Sequence, residues 1–477
     1  MAGMFRLSPM LTAALLGVLL ALTLPPLPTG ILTPVVLAAL LMFAAAAPTP
    51  WGVAGRIFVA QTVATCIHLS WLMVFLGHIF GQPLLGGLGL ALYALEGAFY
   101  ALMAYLVARL IPSGRGRVWG LAGGWVLLEA LRFLGPFAFP WPTLGYSLID
   151  TPMIQIADLG GVLLCSVLVT FTAAALVSFW QGRAAPLWLA VVCWLAALSY
   201  GITRTPAAGT EGRALLQRTA VDAFAKANQA LDAQQQFAIY SALTQQNRQA
   251  GEVPIWTETA IQDANLLPSA PAGGIYGIHR WQAGPRNQAI AWTGQAETGQ
   301  NDKARPVPFG EYFPLRQALD PAWRVIEQGV GMSLESTAAA TNLQPLPLNG
   351  VQYGTYICYD SVFPWVARQL TREGANVLVN ISNDGWYAGW GVQQHFLMGR
   401  VRAIENRRWV LRSVNEGVAA AIDDLGRPQQ TLAAGQGVIH ARFRVLQGQT
   451  VFDRLGDWPA LLLAAGMVGV GLGRRRA

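Results

Sequence analysis

Long apolar runs are the dominant pattern in the first part of the chain. Seven of them lie at about 8–25, 30–47, 57–78, 84–109, 118–134, 160–181 and 186–203. Each is close to the roughly 20 residues that an α-helix needs to cross a bilayer. One further run covers about 458–472. The pattern predicts a multi-pass α-helical membrane domain with about eight spans.

The chain between these runs has a different pattern. From about Thr205 to Arg454 it is polar, with short runs typical of strands. We therefore predict three parts: a membrane domain with seven spans at 1–204, an extracytoplasmic domain at 205–456, and a C-terminal span with a basic cytoplasmic tail at 457–477. Within the polar part, the stretch from Gln217 to Gln236 is rich in Gln and Ala and predicts a short helix.

Composition excludes several classes of protein. Of the 477 residues, 53% are hydrophobic and 12% are charged, whereas about a quarter of the residues in a soluble domain are charged. A soluble enzyme is excluded, and so is a disordered or collagenous chain. The net charge of +7 would suit nucleic acid. Because the arginines lie in loops beside apolar runs, we predict a membrane partner and no nucleic acid.

The arginines of the short loops predict the orientation. They fall on alternate loops and on both ends of the chain, at Arg6, Arg56, Arg109 to Arg117, Arg183 and Arg474 to Arg476. Short loops that carry Lys and Arg stay in the cytoplasm. Both termini are therefore predicted to be cytoplasmic, with the polar domain on the outer face of the cytoplasmic membrane.

Cysteine usage points to one thiol. Three cysteines lie inside apolar runs, where they behave as small hydrophobes, and Cys358 alone lies in the polar domain. An unpaired thiol in an oxidising compartment either pairs with another chain or stays free for reaction, and a buried inert cysteine is the third possibility. The sequence around Cys358 separates these alternatives.

Cys358 occupies a predicted turn between a strand and a helix. A β-rich run from Tyr353 to Ile357 precedes it, and a helical pattern begins after Pro364. The apolar run from Ala375 to Ser382 then predicts a buried strand. Such a turn exposes a nucleophile, and its backbone N–H groups can lower the thiol pKa and receive an oxyanion.

A nucleophilic thiol needs a base and a group that stabilises negative charge. Glu258 ends a short apolar strand that contains Trp256. Lys303 is one of only two lysines among 32 basic residues. This rarity indicates that the position requires a compact ammonium group and not a planar guanidinium. Considered alone, Glu258 is consistent with a capping residue at the surface, and Lys303 with a solvated charge in a loop. Considered together with Cys358, they predict a Glu/Lys/Cys site. Three histidines without an orienting motif remain as alternative bases: His279, His395 and His440.

The segments around these residues resemble a known family. The blocks Trp256–Ala260, Lys303 with Val307–Tyr312, and Ile357–Tyr359 resemble the carbon–nitrogen hydrolase (nitrilase) superfamily. With the apolar runs around them and the later block Val379–Tyr387, the chain more narrowly resembles the apolipoprotein N-acyltransferase family.

This resemblance implies a fold, a reaction and a location. The fold is an extracytoplasmic α-β-β-α nitrilase-like sandwich attached to the membrane domain. Cys358 would be the nucleophile, Glu258 the general base and Lys303 the stabiliser of the oxyanion. Cys358 would take a fatty acyl chain from a phospholipid as a thioester. It would then pass the chain to the free α-amine of the diacylglyceryl-cysteine of a bacterial apolipoprotein. The protein would act as a monomer in the bacterial inner membrane, with no cofactor and no metal.

The resemblance also implies supporting residues and marks two departures. Glu311 would support Lys303, Tyr359 would line the site, and Asp360 stands where the family usually has Glu. The stretch from Gln217 to Gln236 lacks a Trp that the family tends to carry. The candidates for substrate or membrane-interface contact are Trp256, Trp386, Trp390 and His395.

Two other functions compete with acyl transfer. One is a membrane-anchored amidase or nitrilase that hydrolyses a lipid-linked amide. The other is a non-catalytic scaffold or transporter with a decayed enzyme domain. The presence of Glu258, Lys303 and Cys358 argues against the second. A hydrolase of small amides has no use for eight spans, which favours the acyltransferase over the first.

Overall fold

The computed structural model describes residues 8–79, 83–111, 114, 116–223, 232–316, 318–330 and 335–473. Arg6, Arg115 and the cluster Arg474 to Arg476, on which the predicted orientation partly depends, lie outside the described residues.

The apolar runs form helices. They are α1 (Pro9–Ala21), α2 (Thr33–Ala45), α3 (Pro50–His68), α4 (Trp71–Ile79), α5 (Leu88–Leu110), α6 (Gly116–Leu131), α7 (Ala157–Trp180) and α8 (Ala185–Ile202). Among the described residues, three helices are long and apolar enough to cross a bilayer: α5, α8 and α7 with the turn before it. The pair α3 and α4, bent by 64°, would make a fourth. Helices with the length and composition of membrane spans are thus present among the described residues, whereas the count of eight spans stays a prediction.

The polar part of the chain forms twelve strands. They are β1 (Thr210–Thr219), β2 (Val253–Ile255), β3 (Gly274–Trp281), β4 (Pro285–Trp292), β5 (Glu297–Asp302), β6 (Leu346–Leu348), β7 (Val351–Ile357), β8 (Val377–Asn383), β9 (Val410–Asn415), β10 (Ala419–Ile422), β11 (Pro428–Leu432) and β12 (Gly437–Val445). The main order is β5-β4-β3-β2-β1-β9-β8-β7-β6, with β12 beside β1 and β10 beside β9. Thr298 of β5 donates to the Pro347 carbonyl of β6 at 2.6 Å, so the two ends of this order meet.

Helices cover both sides of these strands. They are α9 (Ala233–Asn247), α10 (Asp320–Val330), α11 (Pro364–Arg372), α12 (Trp390–Asn406) and α13 (Val451–Leu455), and α14 (Trp458–Gly473) follows as the last apolar helix. Apolar side chains such as Ile255, Val379 and Leu411 form the core between the strands. Outside it, α9 packs on Trp256 and Tyr276, while α11 and α12 share one core with the membrane helices.

The prediction of a helix from Gln217 was wrong for the residues up to Thr219. These residues belong to β1, which pairs with β12, β2 and β9. Pairing on both edges outweighs the local Gln/Ala pattern. Residues 224–231 lie outside the described part of the chain, and a helix begins at Ala233.

A hydrogen bond to a buried ion pair joins the apolar helices to the strand-rich part of the protein. Arg402 and Glu405 of α12 pair at 2.9 Å and are both fully buried. Helix α7 is interrupted at Gly161, and the N–H of Val162 after this break donates to the Glu405 carboxylate at 2.9 Å. The strand domain thereby supplies the acceptor that an interrupted membrane helix needs.

Candidate active site

Cys358 lies at the sharp turn that the sequence predicts. Strand β7 ends at Ile357, a 3₁₀ turn covers Cys358–Val362, and α11 begins at Pro364. Cys358 has a φ of 48°, a left-handed conformation that is costly for a residue with a side chain. The neighbouring strand β8 is buried along its whole length. The predicted order of strand, turn, helix and buried strand is confirmed.

The Asp360 carboxylate fastens this turn to the loop after β5. It accepts hydrogen bonds from the backbone N–H groups of Ile357 at 3.0 Å, Ala304 at 3.1 Å and Arg305 at 2.7 Å. Burial raises its pKa to about 6, although these N–H groups oppose the rise. The side chain of Asp360, one methylene shorter than Glu, therefore still spans the gap between Cys358 and the segment that carries Lys303.

Lys303 lies between two carboxylates. Its Nζ is 2.9 Å from Glu258 Oε1 and 2.7 Å from Glu311 Oε2, and the side chain is 1% exposed. Burial opposes the charge of the ammonium group, but Glu258 and Glu311 raise the pKa of Lys303 well above its ordinary value. The site therefore holds a fixed positive charge out of water, as stabilisation of an oxyanion requires.

Glu258 is held by donors from two strands. Its Oε2 accepts the backbone N–H of Asn383 at 2.9 Å, and its Oε1 accepts the side-chain amide of Asn287 at 2.7 Å. The same amide reaches Glu311 Oε1 at 3.2 Å. Sequence reasoning missed Asn287, because its place beside Glu258 depends on the pairing of β4 with β3 and β5.

The surroundings of Cys358 favour the protonated thiol over the thiolate. Its burial and the nearby charge of Glu258 raise the pKa well above the ordinary value of a thiol, against the effect of Lys303. The expectation that the turn lowers this pKa was wrong, because the desolvation of a buried thiolate outweighs the attraction of nearby donors. Attack by Cys358 therefore needs a base to remove the proton.

An apolar cavity of about 250 Å³ leads from the membrane helices to these residues. Glu258, Lys303, Glu311, Cys358 and Tyr359 line one part of it. Much of the rest is lined by apolar side chains of α4, of α5 and of the turn between α3 and α4, among them Leu69, Leu72, Phe75, Leu92, Leu95 and Phe99. Leu95 and Phe99 are 47% and 40% exposed, so the cavity reaches the outer surface of α5.

The four candidates for substrate or interface contact separate in the structure. Trp386 lines the cavity, edge-on to Phe75 at 6.3 Å. The other three are not among the described residues that line it. Trp256 is fully buried under α9, where its indole N–H donates to Thr244 at 2.9 Å. Trp390 is half-buried at the start of α12, and His395 is fully buried.

Two family models match the chain. The model of the apolipoprotein N-acyltransferase N-terminal domain matches residues 16–175, and the carbon-nitrogen hydrolase model matches residues 232–451. Among solved structures, a carbon-nitrogen hydrolase from Helicobacter pylori is 13% identical, with a TM-score of 0.37, over 53% of this chain and 94% of that one. The nematode NitFhit protein is 15% identical, with a TM-score of 0.39, over 50% of this chain and 62% of that one.

Curated relatives are similar along almost the whole length. The apolipoprotein N-acyltransferase of Azotobacter vinelandii is 31% identical over 86% of this chain and 84% of the relative. The enzyme of Rhizobium rhizogenes is 32% identical over 87% of this chain and 86% of the relative. The enzyme of Methylococcus capsulatus is 29% identical over 98% of this chain and 96% of the relative. The recognition of the family from its sequence blocks is thus confirmed: the chain belongs to the apolipoprotein N-acyltransferase family.

Proposed function

We propose that this protein moves a fatty acyl chain from a phospholipid, through a thioester on Cys358, to the N-terminal amine of a diacylated apolipoprotein. The observation that carries the proposal is the apolar cavity between the surface of α5 and the group Glu258, Lys303 and Cys358. An acyl chain from the bilayer can enter such a cavity without crossing water. Its ester carbonyl then lies at the polar end.

In the first half-reaction, Glu258 removes the proton of the Cys358 thiol as sulfur attacks the ester carbonyl. The carbonyl oxygen becomes negative, and the ammonium group of Lys303 stabilises it. The carbon–oxygen ester bond then breaks, and the lysophospholipid oxygen takes the proton from Glu258. The raised pKa of Cys358 explains why a base is needed in this step.

In the second half-reaction, the lipoprotein amine attacks the thioester carbonyl. Lys303 again stabilises the oxyanion, the carbon–sulfur bond breaks, and an amide forms. Glu258 receives the amine proton and returns it to the Cys358 sulfur, which restores the resting site. A thioester is reactive enough to acylate an amine without ATP, so the residues present suffice.

The proposed orientation places the catalytic domain on the outer face of the bacterial inner membrane. Arg56 and Arg109 lie toward the ends of α3 and α5 that are remote from the cavity. Arg183 follows the end of α7, and the opposite end of α7 contacts the catalytic domain at Glu405. Positive loops stay in the cytoplasm.

We expect an enzyme reporter that works only outside the cytoplasm to be active when fused after Gly209 and inactive when fused after Ala477. Activity at both sites would contradict the orientation.

Hydrolysis of a lipid-linked amide is the less favoured function. Its mechanism would use the same Glu258, Lys303 and Cys358, with water as the acceptor. The match to the N-terminal domain of the acyltransferases and the membrane-linked cavity favour a lipid donor and a lipid-anchored acceptor.

We further propose that the protein acts as a monomer, because one chain contributes every side chain named in the mechanism.

Mass spectrometry of a lipoprotein N-terminus tests the function. In a bacterial strain depleted of its own enzyme, a reporter lipoprotein should carry a free diacylglyceryl-cysteine amine. We expect expression of this chain to add one acyl chain in amide linkage. An N-terminus that stays free in both samples would reject the acyltransferase, and release of free fatty acid alone would favour the hydrolase.

A further inference from the structure

Behind Cys358 lies a row of polar side chains that the proposed mechanism does not use. His395 Nδ1 is 2.9 Å from Asp384 Oδ1, and His395 Nε2 is 2.7 Å from Ser361 Oγ and 3.2 Å from the Cys358 carbonyl oxygen. Burial opposes the charge of Asp384, but Arg412 and His395 hold the pKa of its carboxyl well below the usual range. The imidazole ring is therefore held firmly from the side of Asp384.

Asp384, His395 and Ser361 contact one another in the same sequence as the acid, base and nucleophile of a serine hydrolase triad. No substrate can reach these three side chains. All three residues are 0% exposed. The ring of Trp141, from the segment that follows α6, stacks over His395 with centroids 6.2 Å apart, and the ring of Tyr387 lies 5.0 Å away. A sealed hydroxyl cannot act as a nucleophile, so the row has another role.

The conformation of Cys358 indicates that role. Its φ of 48° is maintained only if the surroundings over-determine it. The three side chains after it each bind a different part of the protein. Tyr359 donates to the Ala138 carbonyl at 3.2 Å, Asp360 binds the segment after Lys303, and Ser361 contacts His395 of α12. Tyr359 and Asp360 hold the first part of the turn, and the contact between Ser361 and His395 holds its far end.

We propose that His395 is a positioning residue, which keeps the turn at Ser361 in place and thereby aims the Cys358 sulfur at the polar end of the cavity. The inference rests on the proposed role of Cys358 as nucleophile. A loosened turn lets Cys358 relax toward an ordinary φ, which moves its sulfur away from Glu258 and Lys303. A shift of about 1 Å at a reacting atom can cost on the order of 10²-fold in rate.

The test measures the reactivity of Cys358 in two variants of His395. In His395→Gln the amide can still reach Ser361, whereas the shorter side chain of His395→Asn cannot. We expect the rate of iodoacetamide alkylation, mapped by mass spectrometry to Cys358, to fall on the order of 10²-fold in His395→Asn and to recover largely in His395→Gln. The kcat of acyl transfer should follow the same order, with little change in KM for the phospholipid.

His440→Gln is the matched control, because His440 pairs with Glu252 at 2.9 Å and is 39% exposed, away from the cavity. It should leave the alkylation rate unchanged. If His395→Asn does not fold, as judged by its thermal unfolding, Ser361→Ala carries the test, and a several-fold loss of alkylation rate is expected. An unchanged rate in the folded variant used would overturn the proposal. Alkylation needs neither phospholipid nor lipoprotein. The alkylation rates therefore test the role of His395 even if the unmodified protein does not transfer an acyl chain.

Discussion

The Cys358→Ala variant is expected to carry no fatty-acyl adduct after incubation with phospholipid. Alanine has no atom that can form the thioester, and among the described cysteines only Cys358 lines the cavity with Glu258 and Lys303. Intact-mass analysis of the purified protein measures the adduct directly. In the unmodified protein, we expect one acyl chain that maps to Cys358 and disappears when a diacylated lipopeptide is added.

Cys193→Ala is the matched control for this experiment. Cys193 is half-buried in α8, so its loss should leave the adduct intact. Cys358→Ser should form an ester slowly, because the hydroxyl is less acidic than the thiol and Glu258 must remove its proton. An adduct that persists in Cys358→Ala would show that another residue is the nucleophile.

Replacement of Lys303 should have the second largest effect. In Lys303→Met, no cation faces the developing oxyanion, and the acylation rate should fall by about 10²–10³-fold. Lys303→Arg keeps the charge, but the planar guanidinium does not fit the compact space between Glu258 and Glu311. It should also lose most of the activity. The rate of adduct formation in a single turnover measures both variants.

The control for Lys303 is Arg280→Gln, which removes a cation from a partly exposed pair with Glu297, outside the cavity. Its acylation rate should stay close to that of the unmodified protein. Thermal unfolding of each variant separates a loss of catalysis from a loss of fold. A folded Lys303→Met protein that acylates at more than a tenth of the normal rate would exclude Lys303 as the stabiliser of the oxyanion.

Local patterns in the sequence were enough for the elements around Cys358. Strand β7, the turn and α11 follow from a β-rich run, a thiol and a proline, all within some twenty residues of one another. The apolar runs likewise predict helices, because each run satisfies its own backbone hydrogen bonds. Family blocks around Glu258, Lys303 and Cys358 identified the candidate residues.

Contacts between distant segments decided the rest. Asn287 meets Glu258, and Asp360 meets the segment after Lys303, only when separate strands align. The direction of the pKa shift of Cys358 depends on how deeply the folded protein buries it.

The sequence by itself therefore determined the apolar helices, the family and the candidate residues, since these depend on local hydrophobicity and on short blocks. The tertiary structure alone decided that the membrane helices build the cavity at Cys358, and that Trp141 seals His395 behind it. The physical reason is that burial and hydrogen bonding between segments hundreds of residues apart depend on their packing. No local pattern of residues records that packing.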